Sequence, residues 1–594
     1  MSENDTTHTE QVEIERKYAV GEDLPLPQLS GVGEQTGTPV TSAVTLEPYQ
    51  LEAVYFDTAD GALARQRIAL RRRRGGHDEG WHVKLPATEG RTELQWPLGA
   101  RAGADDDPTD ATDATDATDS TGEPSAAAIV DPADAAAPGA SEERPDAGDS
   151  AEGGSGVGES TPGTDETVPL PVLAAVRVHV RDHPLTPLAR VSTTRRVTNL
   201  LDASGAVVAE VADDIVSATD AREGTARLWR EWEVELGVGA PATREGRTAL
   251  LDEIEAKLLA VGATVSPSVS KLAQAMGRSG LGAPVASEPS SGAGKAAARV
   301  LGGVAELVAK IVELDPAVRA DQPDAVHQLR TTIRRLRNVL ATHRSLFDPA
   351  AVDEVRTALS RFGSVLGEVR DLEVRAEWAA FALDDLETDR GVDDPDARRR
   401  LVDGTRAEHA EAHARLVTVM SGSVYYRLLD TLDAFTAGAP TAPDAVKQPK
   451  KEARRSLRKA GKRALARTVK EREAQRVLGP DVVAAAGALG ALHDSRKAAR
   501  RLRHAAEFAT SGPAGVLGDH AEAVGDAAEE LQDALGWHRD ASLFAEYVLL
   551  TARRAEAAGE GSFTYGVLYQ RSIDQARRAL ALAEDARRAL KSTL

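Results

Sequence analysis

Three runs in the chain alternate charge at the spacing of a β-strand. They are Glu13-Ile14-Glu15-Arg16-Lys17, Ala69-Leu70-Arg71-Arg72-Arg73 and Arg230-Glu231-Trp232-Glu233-Val234-Glu235-Leu236. Alternate residues of a strand share one face. Glu13, Glu15 and Lys17 therefore line up on one side, and Glu231, Glu233 and Glu235 on one side of another strand. Three carboxylates on one face repel each other unless cations compensate them. Arginines and a divalent metal inside a closed barrel would do so, and that combination holds a triphosphate.

A second set of chemically capable residues lies in the C-terminal half. Val326-His327-Gln328-Leu329-Arg330 continues to Arg334-Arg335-Leu336-Arg337, and Leu492-His493-Asp494-Ser495-Arg496 continues to Arg500-Arg501-Leu502-Arg503. The histidines and the arginines that follow them coincide. At about 100° per residue, His327, Arg330, Arg334 and Arg337 form one stripe of a helix, with Leu329, Ile333, Leu336 and Leu340 opposite. His493, Arg496, Arg500 and Arg503 repeat the stripe. A second matching pair follows, Leu366-Gly367-Glu368-Val369-Arg370-Asp371 and Leu535-Gly536-Trp537-His538-Arg539-Asp540. Two ordered matches predict a duplicated helical bundle. So many like charges on one face are costly without an anion. Guanidinium grips phosphate bidentately, and each neutralised phosphate releases counterions. The histidines lack a second ligand at i+3 or i+4, so they do not read as metal sites.

The elements that must carry these residues change character along the chain. Strand signals run through Glu10–Tyr18, Tyr49–Thr58, Ile68–Arg74, Trp81–Leu85 and Thr92–Trp96. Residues 101–168 are low in complexity and hold eighteen acids against two arginines, a net of −16. This stretch is expected to be a disordered acidic insertion. Leu170–Val180 reads as helix, followed by strands at Leu188–Leu201, Val207–Ala218 and Leu228–Gly237. Thr243–Ala260 has helical spacing, and Thr264–Gln274 closes the region. Residues 278–296 read as a linker, and 297–594 as helix throughout, broken at Ala437–Pro449.

The whole chain has 594 residues and a net charge of −21, but the acidic insertion accounts for most of it. An acidic total therefore leaves a polyanionic ligand open. The absence of cysteine excludes disulfides and zinc–thiolate sites and suits a reducing cytoplasm. A polar, acidic N-terminus and the lack of a long apolar run predict neither a signal peptide nor a membrane span.

The segments 10–100 and 169–277 together resemble the CYTH family of triphosphate tunnel enzymes, which includes thiamine triphosphatases and class IV adenylate cyclases. Glu13-x-Glu15-x-Lys17 matches the family's N-terminal signature. Tyr55-Phe56-Asp57-Thr58, Arg71-x-Arg73, Lys84 with Pro86, Arg91-x-Glu93, Arg195, Glu210, Asp214, the Glu231/Glu233/Glu235 strand and Ser268-x-Ser270-Lys271 follow in order. The resemblance implies an α+β fold around an eight-stranded antiparallel tunnel at 10–277. It implies that Lys17, Arg71, Arg73, Lys84 and Arg195 grip phosphate. It implies that Glu13, Glu15, Glu233 and Glu235 hold Mg²⁺ or Mn²⁺, with Glu93 and Glu231 as further candidates. Residues 297–594 resemble the CHAD family, the conserved histidine α-helical domain. That resemblance implies an all-α, two-lobed bundle whose basic groove binds inorganic polyphosphate, often at polyphosphate granules. His327, Arg330, Arg334, Arg337, Arg370, His493, Arg496, Arg500, Arg503 and Arg539 fall on its motif.

Three functions remain open on the sequence. One is a metal-dependent triphosphatase acting on short inorganic or organic triphosphates, with a helical domain that recruits polyphosphate. Another is a polyphosphate-granule binder without catalysis. Cyclisation of ATP ranks last, because no adenine-recognising signature is found. Nucleic acid ranks below polyphosphate as a partner, since the helical half has few aromatics on which bases could stack. The oligomeric state stays open.

Overall fold

The computed structural model describes residues 8–98, 167–268, 270–277, 295–442, 448–478, 486–511 and 515–594. The expected disorder of 101–168 lies outside these residues, apart from its last two, as does the linker up to Lys295, where helix has already begun.

The N-terminal region is a single antiparallel sheet of eleven strands. They are β1 (Thr9–Glu13), β2 (Glu15–Ala19), β3 (Ser42–Thr45), β4 (Tyr49–Asp57), β5 (Ala69–Arg74), β6 (Gly80–Pro86), β7 (Arg91–Trp96), β8 (Thr186–Leu201), β9 (Val207–Asp220), β10 (Ala226–Leu236) and β11 (Thr264–Val265). The neighbour order is β1-β7-β6-β5-β4-β8-β9-β10-β2-β11, with β3 on β8. The expected single strand over Glu10–Tyr18 is two. Ile14 breaks it, β1 pairing with β7 and β2 with β10. The break is what curls the sheet, because one short run closes both ends of the pairing circuit. With β1 and β2 taken as halves of one strand, and β3 and β11 as short flaps, the circuit has eight members. Gly90, at φ +69°, turns the chain from β6 to β7 against this junction. A Cβ there would stand 1.9 Å from the Glu13 carbonyl oxygen, so only glycine fits.

Four helices accompany the sheet: α1 (Ala62–Arg65), α2 (Leu170–Val180), α3 (Arg244–Ala260) and α4 (Lys271–Met276). Leu250, Leu251, Ile254 and Leu258 of α3 pack on Tyr18, Val211, Trp232 and Val234, the outward face of β2, β9 and β10. That burial turns Glu231, Glu233 and Glu235 inward, because strand residues alternate. At one end of the interior, Leu272, Ala275 and Met276 of α4 pack among Ala53, Val191, Val216 and Ala218.

The C-terminal region is helical: α5 (Lys295–Arg319), α6 (Ala325–Thr342), α7 (Pro349–Arg390), α8 (Pro395–Arg398), α9 (Gly404–Met420), α10 (Ser423–Gly438), α11 (Pro449–Leu478), α12 (Ala486–Thr510), α13 (Asp519–Ala557) and α14 (Phe563–Thr593). One apolar core joins α5, α6, α7, α9 and α10, through residues such as Val304, Leu329, Leu366, Leu416 and Leu429. A second joins α11 to α14, through Ala464, Leu502, Leu531 and Leu590. The long α7 and α13 run on beyond these cores and meet in a third, with Leu383, Phe544 and Leu568. The expected opposition on α6 holds: Leu329, Ile333, Leu336 and Leu340 are buried, and His327, Arg330, Arg334 and Arg337 are not. Among the described residues no helix is long and apolar enough to cross a membrane.

Candidate functional site

Register brings the tunnel residues together. Across β2 and β10, Lys17 faces Glu233 and Glu15 faces Glu235. On the other flank of β10, Glu231 faces Asp214 and Glu235 faces Glu210. Asp214 in turn faces Arg195 of β8. Lys17 is bonded to Glu233 and lies 3.2 Å from Glu15. Arg195 makes a bidentate pair with Asp214, at 2.8 and 2.7 Å, and a further bond to Glu233 at 2.6 Å. On the β5–β6–β7 wall Lys84 bonds Glu13, and Glu93 receives Arg71 at 3.2 Å and His82 Nδ1 at 3.0 Å. Arg73 bonds Asp78 at the rim.

The charges are tuned by burial and by one another. Burial alone would raise the Glu233 carboxyl, but Lys17, Lys271 and Arg195 hold it well below the usual range. Burial and the hydrogen bond to Glu93 push Glu13 up to about 8, against the pull of Lys84. Burial, with Arg71 beside it, brings Arg73 down to about 9. Burial raises Glu235, with Glu15, Glu210 and Glu233 adding to it against Lys84. Glu210 is also raised, by burial and then by Asp214 and Glu233 against Arg195.

Two acidic groups face the interior, and the first is close enough to hold a cation. Asp214, Glu231 and Glu233 are buried, and their carboxylate oxygens lie within 4.8 Å of one another. The Lys271 ammonium stands among them, 2.8 Å from Asp214, 2.7 Å from Glu231 and 2.7 Å from Glu233. A metal in that triad competes with this lysine. The second group is the row Glu15, Glu235 and Glu210, opposite one another across β2, β10 and β9. Its donors are all carboxylate oxygens, as a hard divalent cation requires; Glu235 and Glu210 are raised, while Lys17 and Lys84 hold Glu15 below the usual range against burial. Of the four expected metal ligands, Glu15 and Glu235 thus share a row. Glu233 is taken up by Lys17, Arg195 and Lys271, and Glu13 by Lys84 and Glu93.

Lys271 was not among the expected site residues, although Ser268-x-Ser270-Lys271 is visible in the sequence. Its geometry explains that motif. Ser270 caps α4 by accepting from the Ala273 amide at 3.1 Å, and Ser268 donates to the Ser270 carbonyl at 2.9 Å. The cap fixes the first helical residue, Lys271, where its side chain enters the acidic triad.

In the helical region the two arginine stripes converge. Burial lowers Arg334 to about 10, and Arg330, Arg496 and Arg503 add to the shift. Burial lowers Arg500 to about 9, with Arg334, Arg496, Arg330 and Arg539 as the neighbours. The stripes of α6 and α12 therefore face each other. Arg334 Nε and Arg496 Nε are buried and meet no acceptor among the described residues. His327 and His493 are lowered as well, first by burial and then by nearby cations, so both lose their protons below the usual imidazole range. The duplicated Leu-Gly pairs now have a reason. Arg330 lies over Gly367, and Arg496 over Gly536. A Cβ would stand 3.4 and 3.1 Å from their respective guanidinium nitrogens.

Not every expected groove residue is equally available. Arg370 is paired with Glu373 at 2.9 Å, and Arg503 with Glu507 at 2.6 Å and Glu529 at 2.9 Å. Arg330 has Asp371 at 3.3 Å, and Arg539 has Asp540 at 4.0 Å.

Comparison with known proteins agrees with this division. The CYTH domain model matches residues 11–260 and the CHAD domain model residues 302–549. Uncharacterized protein Rv2226 of Mycobacterium tuberculosis is 33% identical, over 98% of this chain and 96% of its own. Among solved structures, PptA from Streptomyces chartreusis is 20% identical with a TM-score of 0.39, covering 48% of this chain and 97% of that one. The CHAD domain from the plant Ricinus communis is 20% identical with a TM-score of 0.38, covering 50% and 92%. The two domain models match in order, over the strand-rich and the helical regions, and the mycobacterial relative carries the match over 98% of the chain, so the chain belongs to the family of CYTH–CHAD fusion proteins.

Proposed function

We propose that the helical region binds inorganic polyphosphate. We propose further that the tunnel binds, and with Mg²⁺ or Mn²⁺ hydrolyses, short inorganic or organic triphosphates. The observation that carries the first part is the convergence of Arg334 and Arg500. Half-buried guanidinium groups from two halves of a chain face each other, and their basicity is depressed by burial and by their own kind. A row of phosphates relieves that repulsion and satisfies the orphaned Arg334 and Arg496 nitrogens.

In the tunnel, Lys17, Arg71, Arg73, Lys84 and Arg195 bind and orient phosphate oxygens. Glu15, Glu235 and Glu210 would hold the metal. When bound, the metal supplies charge neutralisation and Lewis acidity toward the triphosphate. Lys17, held between Glu233 and Glu15, would lie beside the phosphate oxygens that it binds. Lys271 keeps Asp214, Glu231 and Glu233 compensated throughout. A cytoplasmic, granule-associated location belongs to the same proposal.

A second reading is a tunnel that binds without turnover. The bidentate Arg195–Asp214 pair favours it, because Nε and Nη2 of that arginine are already committed to Asp214 and Glu233. The deciding experiment is phosphate release from tripolyphosphate with Mg²⁺ or Mn²⁺, beside Glu15→Ala. Metal-dependent release that disappears in Glu15→Ala is the expected outcome. Folded protein that binds polyphosphate and releases nothing establishes the second reading.

A further inference from the structure

The two halves of the helical region repeat their histidine helices but not the helices that lead into them. α5 precedes α6, as α11 precedes α12. On α5 the exposed positions include Ala305, Glu306, Ala309 and Glu313, and Lys310 is bonded to Glu313 at 2.5 Å. α11 presents Arg455, Arg458, Lys459, Lys462 and Arg463 instead, all exposed, along an open cleft of about 430 Å³. The spacing i, i+3, i+4, i+7 and i+8 makes one stripe, about 12 Å long at 1.5 Å per residue. The opposite side of the helix, with Leu457, Ala460 and Ala464, packs into the core. Packing therefore explains one face of α11 and not the other. Arg455 is paired with Glu452 at 2.8 Å. Among the described residues no acid pairs with Arg458, Lys459, Lys462 or Arg463. Adjacent like charges on a helix cost stability, and no ion pair among the described residues compensates these four.

The stripe is continuous with the groove at one end. Arg463 and Arg356 are close enough to Arg501 to add to its depressed basicity, and Arg356 and Arg501 do the same to Arg337. Arg337 is the last member of the α6 stripe. Its counterpart in the other half, Arg503, meets Glu507 and Glu529 instead. Cations outnumber acids at this end, where Asp353 lies 3.5 Å from Arg356 and Asp494 stands near Arg501, whereas at the other end Arg503 is paired directly with two glutamates.

We propose that the exposed face of α11 is a second phosphate-binding rail, joined to the groove through Arg337, Arg356 and Arg501, so that a long polyphosphate leaves the groove in one direction and is held along α11. This rests on the groove reading given above. Short chains fill the groove alone, and long chains engage both surfaces. The test uses the full chain and polyphosphates of two lengths, one short enough for the groove only and one several times longer. Affinities are measured over a range of salt for the wild type, for Arg458→Ala/Lys459→Ala/Lys462→Ala, and for Arg334→Ala/Arg500→Ala. The rail variant is expected to lose about tenfold or more for the long chain, keep its short-chain affinity, and show a shallower salt dependence. The groove variant is expected to lose both. A rail variant that binds long chains as the wild type does, or loses both lengths equally, overturns the rail while a responsive groove variant leaves the groove standing. A wild type without affinity for either length, or a groove variant without effect, overturns the groove reading and the rail with it.

Discussion

Lys271 is the residue on which the tunnel's charge balance turns. Its ammonium is surrounded by Asp214, Glu231 and Glu233, and its pKa is raised, since those carboxylates outweigh burial. Removing one partner from a buried ion cluster leaves uncompensated charge. Lys271→Met is expected to lose about 3 kcal/mol of stability, and added Mg²⁺ is expected to recover part of it by occupying the triad. Urea denaturation with and without Mg²⁺ measures both; a variant as stable as the wild type would remove Lys271 from this role. Histidines set the acid limb. Burial pushes His82, His343 and His538 down to about 4. They are neutral in the folded protein, whereas the unfolded chain takes up protons near pH 6.5. Their contribution to stability is therefore complete above about pH 6.5 and is lost as the pH falls toward 4. Glu13, raised to about 8, acts in the other direction, because its stabilising proton is lost as the pH rises through that value. Unfolding free energies at pH 5, 7 and 9 are expected to peak at 7. Equal values at 5 and 7 would show that the buried histidines do not govern the acid side.

At the scale of elements, helix α7 carries Gly367 and α13 carries Gly536, each beneath an arginine of the preceding histidine helix. A glycine in a helix interior costs roughly 0.5–1 kcal/mol relative to alanine. The close approach of Arg330 and Arg496 accounts for tolerating that cost twice. Gly536→Ala is expected to hold or raise the melting temperature while weakening polyphosphate binding, because Arg496 must shift off the helix. Gly367→Ala should follow more weakly, the approach there being 3.4 Å rather than 3.1 Å. Calorimetry and binding on the same preparations separate the two effects. A loss of stability without a loss of affinity would mean that the glycines serve packing alone. The strand elements teach a related point. Most ranges were legible from alternation and β-branched residues, yet the break at Ile14 was not, because Glu13, Ile14 and Glu15 continue the alternation without a Gly or Pro. Strand β3, with its exposed Ser42–Thr45, offered no apolar alternation to find.

Over the whole molecule, the groove stores like-charge repulsion that a bound polyanion, on the proposed function, would release. Binding to the folded state only, at a hundredfold excess over Kd, contributes about 2.7 kcal/mol. Polyphosphate is therefore expected to raise the melting temperature of the helical region by about 5 °C, and less as salt is increased. Arg334→Ala/Arg500→Ala is expected to melt no lower than the wild type and to show no such rise. A variant that still responds to polyphosphate would place the binding elsewhere.

The sequence by itself determined the two architectures and their order. Period-two alternation and period-3.6 stripes are local properties of the chain, and the repeated histidine helices announce the duplication without any coordinates. It also determined which residue types could grip phosphate. Only the tertiary structure decided their partners. Strand register put Glu15, Glu235 and Glu210 in one row, and helix α4 brought Lys271 into the Asp214 triad. Packing of the two helical cores set Arg334 against Arg500, tied Arg503 to Glu507, and left α11 with a bare cationic face. Pairing depends on residues far apart in sequence, and charge is tuned by burial. Neither is written in the spacing of a motif.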